Sequence, residues 1–345
     1  GGIKGVGEGA VLAIVEERKR NGKFKSMFDF VERVNLNACN KKAVESLVLA
    51  GAFDNFTDLK REQFFVENSK GEPVLDSIIR YGNKYQMDSA QNQNSLFGGL
   101  DTVEIAKPEI PFARDWSPLE KLNKEREYIG MYLSAHPLDD YEFEINYICN
   151  TRTTDLKDLP PLYGKTLRIG GMVTAIRHGT SKAGNPYGIL TIEDYEGAFE
   201  FPLFGPNYIE FSKYMLKDLY LLITATVQER GQDRKYFKPA EEGAVKEYEL
   251  KIQKIDILND VRDKLVNNLT VNMPLDHLDE EFVTDMTDMV LTNKGTINIY
   301  FNVVDNLTQS KIRLFARQYR VKLDRQFYRM LRKYKEDGKL DFHIN

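Results

Sequence analysis

The hydrophobic period of this chain switches near Gly164, and that switch bounds what it can fold into. Up to about residue 163, apolar residues recur at helical spacing; from Gly164 alternating stretches appear, with helical ones between some of them. Val11, Leu12, Ile14 and Val15 predict a helix over 8–20, closed by Asn21-Gly22. Ser26 is placed to cap a second helix holding Met27, Phe28, Phe30, Val31 and Val34. Asn40 is placed to cap a third over 41–49, with Val44, Leu47 and Val48 on one face and Ala50-Gly51 as its stop. Further helices are expected over 60–68, 75–81 and 115–135, the last capped by Ser117 with Pro118 in its first turn. Between them, 82–94 is polar, rich in Gln and Asn and without a period, and reads as a loop.

The alternating part predicts strands over 167–173, 188–192, 198–203, 220–227 and 250–257, with a helix near 209–215 before the fourth strand. That is the succession of a small Greek-key barrel of the OB type. Beyond it come a strand (269–272), a helix (278–292), two strands (296–304 and 311–321), a helix (324–336) and a strand (340–344). The order β-α-β-β-α-β predicts a split βαβ domain. With 345 residues and this sequence of elements, the fold class is multidomain α+β.

Several function classes find no support. No apolar run is long enough to cross a bilayer, so no membrane partner is expected. Cys39 and Cys149 stand far apart, and neither they nor His136, His178, His277 and His343 have metal-ligand spacing. A reducing, cytoplasmic setting suits the two thiols. No nucleophile elbow or phosphate-cradling GK[ST] loop occurs. The acidic pairs Asp139-Asp140, Glu193-Asp194 and Glu241-Glu242 lie near turns and read as solvated charge. No catalytic residue, metal site or cofactor is therefore assigned. A formal net charge of −4 also means that contact with a polyanion must come from local patches, the most obvious being the cations from Lys311 to Lys335.

Three features point to binding. Gly5-Val6-Gly7 enters the first helix as the hairpin of a helix-hairpin-helix motif does. Its glycines, with Gly9, would let backbone amides approach phosphate, Lys4 would add a cation and Val6 would plug the core. The segment 177–187, between the first two barrel strands, combines Arg177, Lys182 and Asn185 with Tyr187, and Lys235 could extend that face. Such cations track a single strand while rings stack on bases. Phe204 and Phe237 read as core aromatics or as part of the same face. Finally, Gln93-Asn94-Ser95-Leu96-Phe97 places two apolar residues in a polar stretch, as a docking peptide does.

Taken together, 3–10, 24–30, 50–54, Glu125 to Leu138, Gly184-Asn185-Pro186 and Leu190 to Asp194 resemble the C-terminal third of bacterial DNA polymerase III alpha subunits. The resemblance extends well to about residue 258, and 311–345 departs from the better-known versions. It implies a helix-hairpin-helix region over 1–81 (truncated at its start), a polar linker over 82–114 and a helical connector over 115–163. An OB domain over 164–258 and a C-terminal α+β domain over 259–345 would follow. It further implies duplex DNA at the hairpin, single-stranded template at the barrel, and a sliding clamp bound by Gln93, Ser95, Leu96 and Phe97. The clamp-loader tau subunit would bind 259–345. The carboxylates and Mg2+ of the parent polymerase would lie upstream, so the chain reads as a non-catalytic piece of something larger. NAD-dependent DNA ligase combines similar modules, but in reverse order and with a zinc site. A free-standing single-strand-binding or scaffold protein is the remaining alternative.

Overall fold

In the computed structural model, residues 2–94, 105–232 and 246–345 are described. They form two compact units, Gly1–Pro137 and Leu138–Asn345.

The first unit is helical. Helices α1 (Glu8–Asn21), α2 (Met27–Arg33), α3 (Lys41–Leu49), α4 (Val74–Asn94) and α5 (Pro118–Ile129) are joined by short turns. Local chemistry fixes the ends. Ser26 Oγ accepts from the Asp29 amide at 3.0 Å, and Asn40 Oδ1 accepts from Ala43 N at 3.0 Å. Ser117 and Glu120 form a reciprocal capping box at the start of α5. Met27, Phe30, Val31, Val44 and Val74 fill the core. On α1 the apolar stripe is mostly outside it: Val11, Leu12 and Val15 are exposed, while Ala10 is buried and Ile14 partly so.

Three segments depart from the sequence expectation, the first being the helix expected over 115–135, which stops at Ile129 where Gly130 turns left-handed at φ +91°. Residues 60–68 form only a 3-10 turn over Arg61–Phe65, followed by a β-bridge between Glu67 and Pro73. The stretch 82–94 is not a loop but the continuation of α4. Tertiary contacts explain the helix. Gly82 packs so tightly on α2 that a Cβ there would lie 2.7 Å from the Val31 carbonyl. The Gln86 amide donates to Val31 O at 2.7 Å and Val34 O at 2.8 Å, serving the orphan carbonyls that end α2. A polar face that caps a neighbouring helix carries no hydrophobic period to read.

The second unit holds two sheets. In the first, β1 (Thr166–Thr180), β2 (Pro186–Glu193), β3 (Ala198–Phe204), β4 (Tyr220–Glu229) and β5 (Tyr248–Ile257) are all antiparallel in the order β3-β2-β1-β4-β5. Helix α6 (Gly205–Phe211) precedes β4. Leu167, Ile169, Leu190, Phe201 and Ile223 pack inside. Strand β1 runs to Thr180, so the connecting loop is only 181–185 and Arg177 and Tyr187 lie on strands.

After the short helix α7 (Val261–Leu265), the second sheet comprises β6 (Asn268–Pro274), β7 (Lys294–Asp305), β8 (Ser310–Val321) and β9 (Asp341–Ile344). Helices α8 (Glu280–Thr292) and α9 (Arg325–Glu336) follow β6 and β8 respectively. The element order is the expected one, but the sheet order β8-β7-β6-β9 places β6 and β7 side by side and parallel, with no strand between them. The βαβ unit is therefore not split. Leu269, Val271, Met273, Ile299, Val303 and Phe342 are buried on one face, together with Phe282, Met286, Phe327 and Leu331 of the helices. Arg262 of α7 forms a bidentate ion pair with buried Glu144 at 2.7 and 2.9 Å and lies 4.6 Å over the Phe143 ring, fixing the segment before the first sheet to this domain.

Candidate nucleic-acid interface

The hairpin is a tight turn closed by Val6 N donating to Ile3 O at 3.2 Å, with Gly5 at φ +86°. A side chain at Gly5 would adopt a rarely populated backbone and meet Ser46 Oγ at 2.5 Å, so glycine is required. Val6 is buried. Gly7 is the extended N-cap of α1 and offers no side-chain cap; a Cβ at Gly7 or Gly9 would touch nothing within 4 Å. The space beside Gly7 and Gly9 is thus unobstructed, and the Ala10 and Val11 amides already donate to Gly7 O. Lys4 is exposed, and its amide donates to Tyr128 O at 2.7 Å, tying the turn to the end of α5.

On the first sheet, register assigns the faces. Ile176, Leu190 and Phe201 pair across β1, β2 and β3 and face the core. One residue along, Arg177, Ile189 and Pro202 share the opposite face, as do Gly179, Tyr187 and Phe204. The Tyr187 and Phe204 rings lie 5.5 Å apart. The core reading of Phe204 does not hold: it is 57% exposed. Gly179 makes room for Tyr187, because a Cβ there would lie 2.7 Å from its ring. Arg177 reaches Glu200 Oε1 at 2.6 Å, so its charge is partly answered within the same face.

In the loop, Ser181 N donates to Asn185 O at 2.8 Å and Gly184 adopts φ +79°. Lys182 and the Asn185 side chain are left exposed at the tip. Among the described residues no carboxylate pairs with Lys182. Lys235 and Phe237 lie outside the described residues, as do Ser95, Leu96 and Phe97. Gln93 falls in the last turn of α4 rather than in a loop.

Titratable groups elsewhere serve the fold. Asp194 is buried, not solvated: it accepts from Thr153 N and Oγ1, each at 2.7 Å, and from the amides of Glu196 and Gly197. Asp140 pairs with Arg325, and Asp139 accepts from the Tyr195 hydroxyl. Glu241-Glu242 lies outside the described residues. Burial pushes the Cys39 thiol up to about 11 and the Cys149 thiol up to about 12. Among the described residues no cluster of three His, Cys, Asp or Glu side chains could hold a metal ion, and no helix is long and apolar enough to cross a membrane.

A glycine hairpin opening a helix, and a β-sheet with paired aromatics beside cations, together define a multi-module nucleic-acid-binding protein. Family models agree on the modules. Residues 1–64 match the helix-hairpin-helix motif, and 167–258 match the OB-fold nucleic acid binding domain. Residues 269–345 match the C-terminal domain of the DNA polymerase III alpha subunit. DNA polymerase III subunit alpha of Vibrio cholerae is 27% identical over 309 residues, which cover 88% of this chain and 25% of that protein. The Haemophilus influenzae subunit is 30% identical over 309 residues, with 87% and 24% covered. Among solved structures, an asparaginyl-tRNA synthetase of Entamoeba histolytica aligns at 21% identity and a TM-score of 0.20, covering 32% of this chain and 23% of that one.

The chain is thus a relative of the C-terminal region of the DNA polymerase III alpha subunit, and it spans about a quarter of the length of the curated relatives it matches.

Proposed function

We propose that this chain holds DNA for a replicative polymerase without itself performing the chemistry. Duplex would lie against the hairpin, where Lys4 and the amides around Gly5, Gly7 and Gly9 meet phosphate. Single strand would lie across the outer face of β1–β3. The observation that carries the proposal is the Tyr187–Phe204 pair, with Phe204 exposed and Tyr187 half-buried, flanked by Arg177 and Lys182. Two neighbouring rings offer stacking to successive bases, and the cations follow the backbone. The segment Gln93-x-x-Leu96-Phe97 would dock a sliding clamp, which raises processivity by keeping the enzyme near its template. Residues 259–345 would meet the clamp-loader tau subunit.

Fluorescence anisotropy with labelled oligonucleotides tests the first part. Tyr187→Ala with Phe204→Ala should weaken single-strand binding at least tenfold, since each base–aromatic stack contributes about 1–3 kcal/mol, and leave duplex binding unchanged. Unaltered single-strand affinity would refute the barrel assignment. For the clamp, changing Gln93, Leu96 and Phe97 to Ala should abolish the calorimetric signal with the cognate clamp; an unchanged signal excludes this peptide.

A further inference from the structure

Strand β8 forms one edge of the C-terminal sheet. Its twelve residues, Ser310–Val321, contain four cations (Lys311, Arg313, Arg317 and Arg320) and no carboxylate. All four cations are exposed, and among the described residues none forms an ion pair. This contrasts with α9 and its approaches, where Lys322, Arg325, Arg332 and Lys335 are each paired with Asp263, Asp140, Glu142 and Asp341. The basic segment therefore differs along its length: α9 and its approaches answer four of their cations, leaving Arg329 and Lys333 without an ion pair among the described residues, while β8 answers none.

The sheet has one covered and one open face. The large aliphatic residues of β6 and β7 are buried on the face that carries α8 and α9, whereas Ile312 and Leu314 of β8, on that same face by register, stay exposed. The opposite face carries Tyr300 and Phe315, stacked at 4.7 Å with planes 17° apart, and Arg313 lies 4.7 Å over the Tyr300 ring. Phe315 is 43% exposed. Beside them are two cross-strand amide pairs, Asn298–Asn268 at 3.1 Å and Asn302–Asn272 at 2.8 Å. Protein-docking faces concentrate apolar area at their centre; on β6 and β7 that area is buried beneath the helices, the exposed Ile312 and Leu314 of β8 lie on the other face, and the open face offers ring planes, amides and positive charge.

We propose that this open face, with β8 as its cationic rim, is a second binding site for single-stranded nucleic acid, independent of the one assigned to the β1–β3 face. A base would stack on the Phe315–Tyr300 pair while Lys311, Arg313, Arg317 and Arg320 follow the phosphates. The same four cations oppose pairing of β8 with a second copy of itself.

The test uses the full chain with fluorescein-labelled (dT)30, and with a 4-thiothymidine version for photocross-linking and peptide mapping. Cross-links are expected within 294–321 as well as on β1–β3. They should persist when Lys182→Ala and Tyr187→Ala disable the first face. In that background Arg313→Ala with Phe315→Ala should weaken residual binding about tenfold and lower the salt slope by about one. A circular-dichroism melt controls for folding, since both side chains are exposed. Absence of cross-links in 294–321, or their loss with the first-face substitutions, would overturn the proposal. So would displacement of the strand by poly-glutamate of equal charge with no effect of Phe315→Ala, which would mark the face as a seat for an acidic protein.

Discussion

Arg61 Nη2 lies 2.8 Å from Glu125 Oε1, and the two residues, sixty-four positions apart, are 7% and 2% exposed. The same guanidinium holds Asp54, through Nε at 2.7 Å and through Nη2. Glu125 in turn accepts from the Ser134 hydroxyl at 2.9 Å and from the amides of Leu133 and Ser134. One buried ion pair thus joins the turn after α3, the 3-10 turn at Arg61 and the segment following α5. Removing a single partner leaves an uncompensated buried charge. Arg61→Ala should therefore cost about 3–5 kcal/mol, read as a lowered urea midpoint with an unchanged slope.

The pair also sets a pH dependence. Burial raises the Glu125 pKa, but the Arg61 guanidinium and the Ser134 and Leu133 donors outweigh it, so the carboxyl sits below its usual value of 4.5. A depressed folded pKa contributes stability that is complete above the unfolded value and is lost as pH falls through the folded one. The melting temperature of the first unit should be flat above about pH 5 and fall below it. Glu125→Gln should flatten that acid limb while lowering the plateau.

At the hairpin, stability and binding should move in opposite directions. Gly7 is an N-cap with ordinary extended backbone and open space around it, so Asp is accommodated there. Gly7→Asp supplies the missing cap and complements the helix dipole, a gain of roughly 0.5 kcal/mol. Its carboxylate would occupy the place proposed for phosphate, so duplex affinity should drop at least fivefold while the thermal midpoint rises slightly. A rise in both would remove the hairpin from the DNA contact.

Gly179 supplies a third handle. Gly179→Ala drives a methyl into the Tyr187 ring, 2.7 Å from the Cβ position, without touching either ring chemically. Single-strand affinity should fall several-fold and Tyr187 fluorescence should change, with the fold retained. Unaltered binding would show that the position of the Tyr187 ring is not what the strand reads.

The two thiols should be inert. With Cys39 held at about 11 and Cys149 at about 12 by burial, native protein at pH 8 should react with Ellman's reagent far more slowly than protein in urea.

Much of the architecture is written locally. Ser26, Asn40 and Ser117 cap helices as their chemistry dictates. Gly5 makes the turn that only glycine accepts, and alternation marks every strand of both sheets within a few residues except the far end of β1, which runs on from 173 to Thr180. These signals act between neighbours in the chain, so a single sequence carries them in full. What it does not carry is pairing at a distance. Gln86 looks like part of a polar loop until Val31 and Val34 present it with carbonyls. Alternation specifies that Phe204 and Leu203 face opposite ways, but only the packing of α6 and the sheet decides which one is buried. Likewise, a run of cations reads as one patch until the fold answers Arg325 with Asp140 and, among the described residues, leaves Arg317 without an ion pair. Charge and hydrophobicity are properties of residues; neutralisation and burial are properties of pairs, and the pairs are made by the tertiary structure.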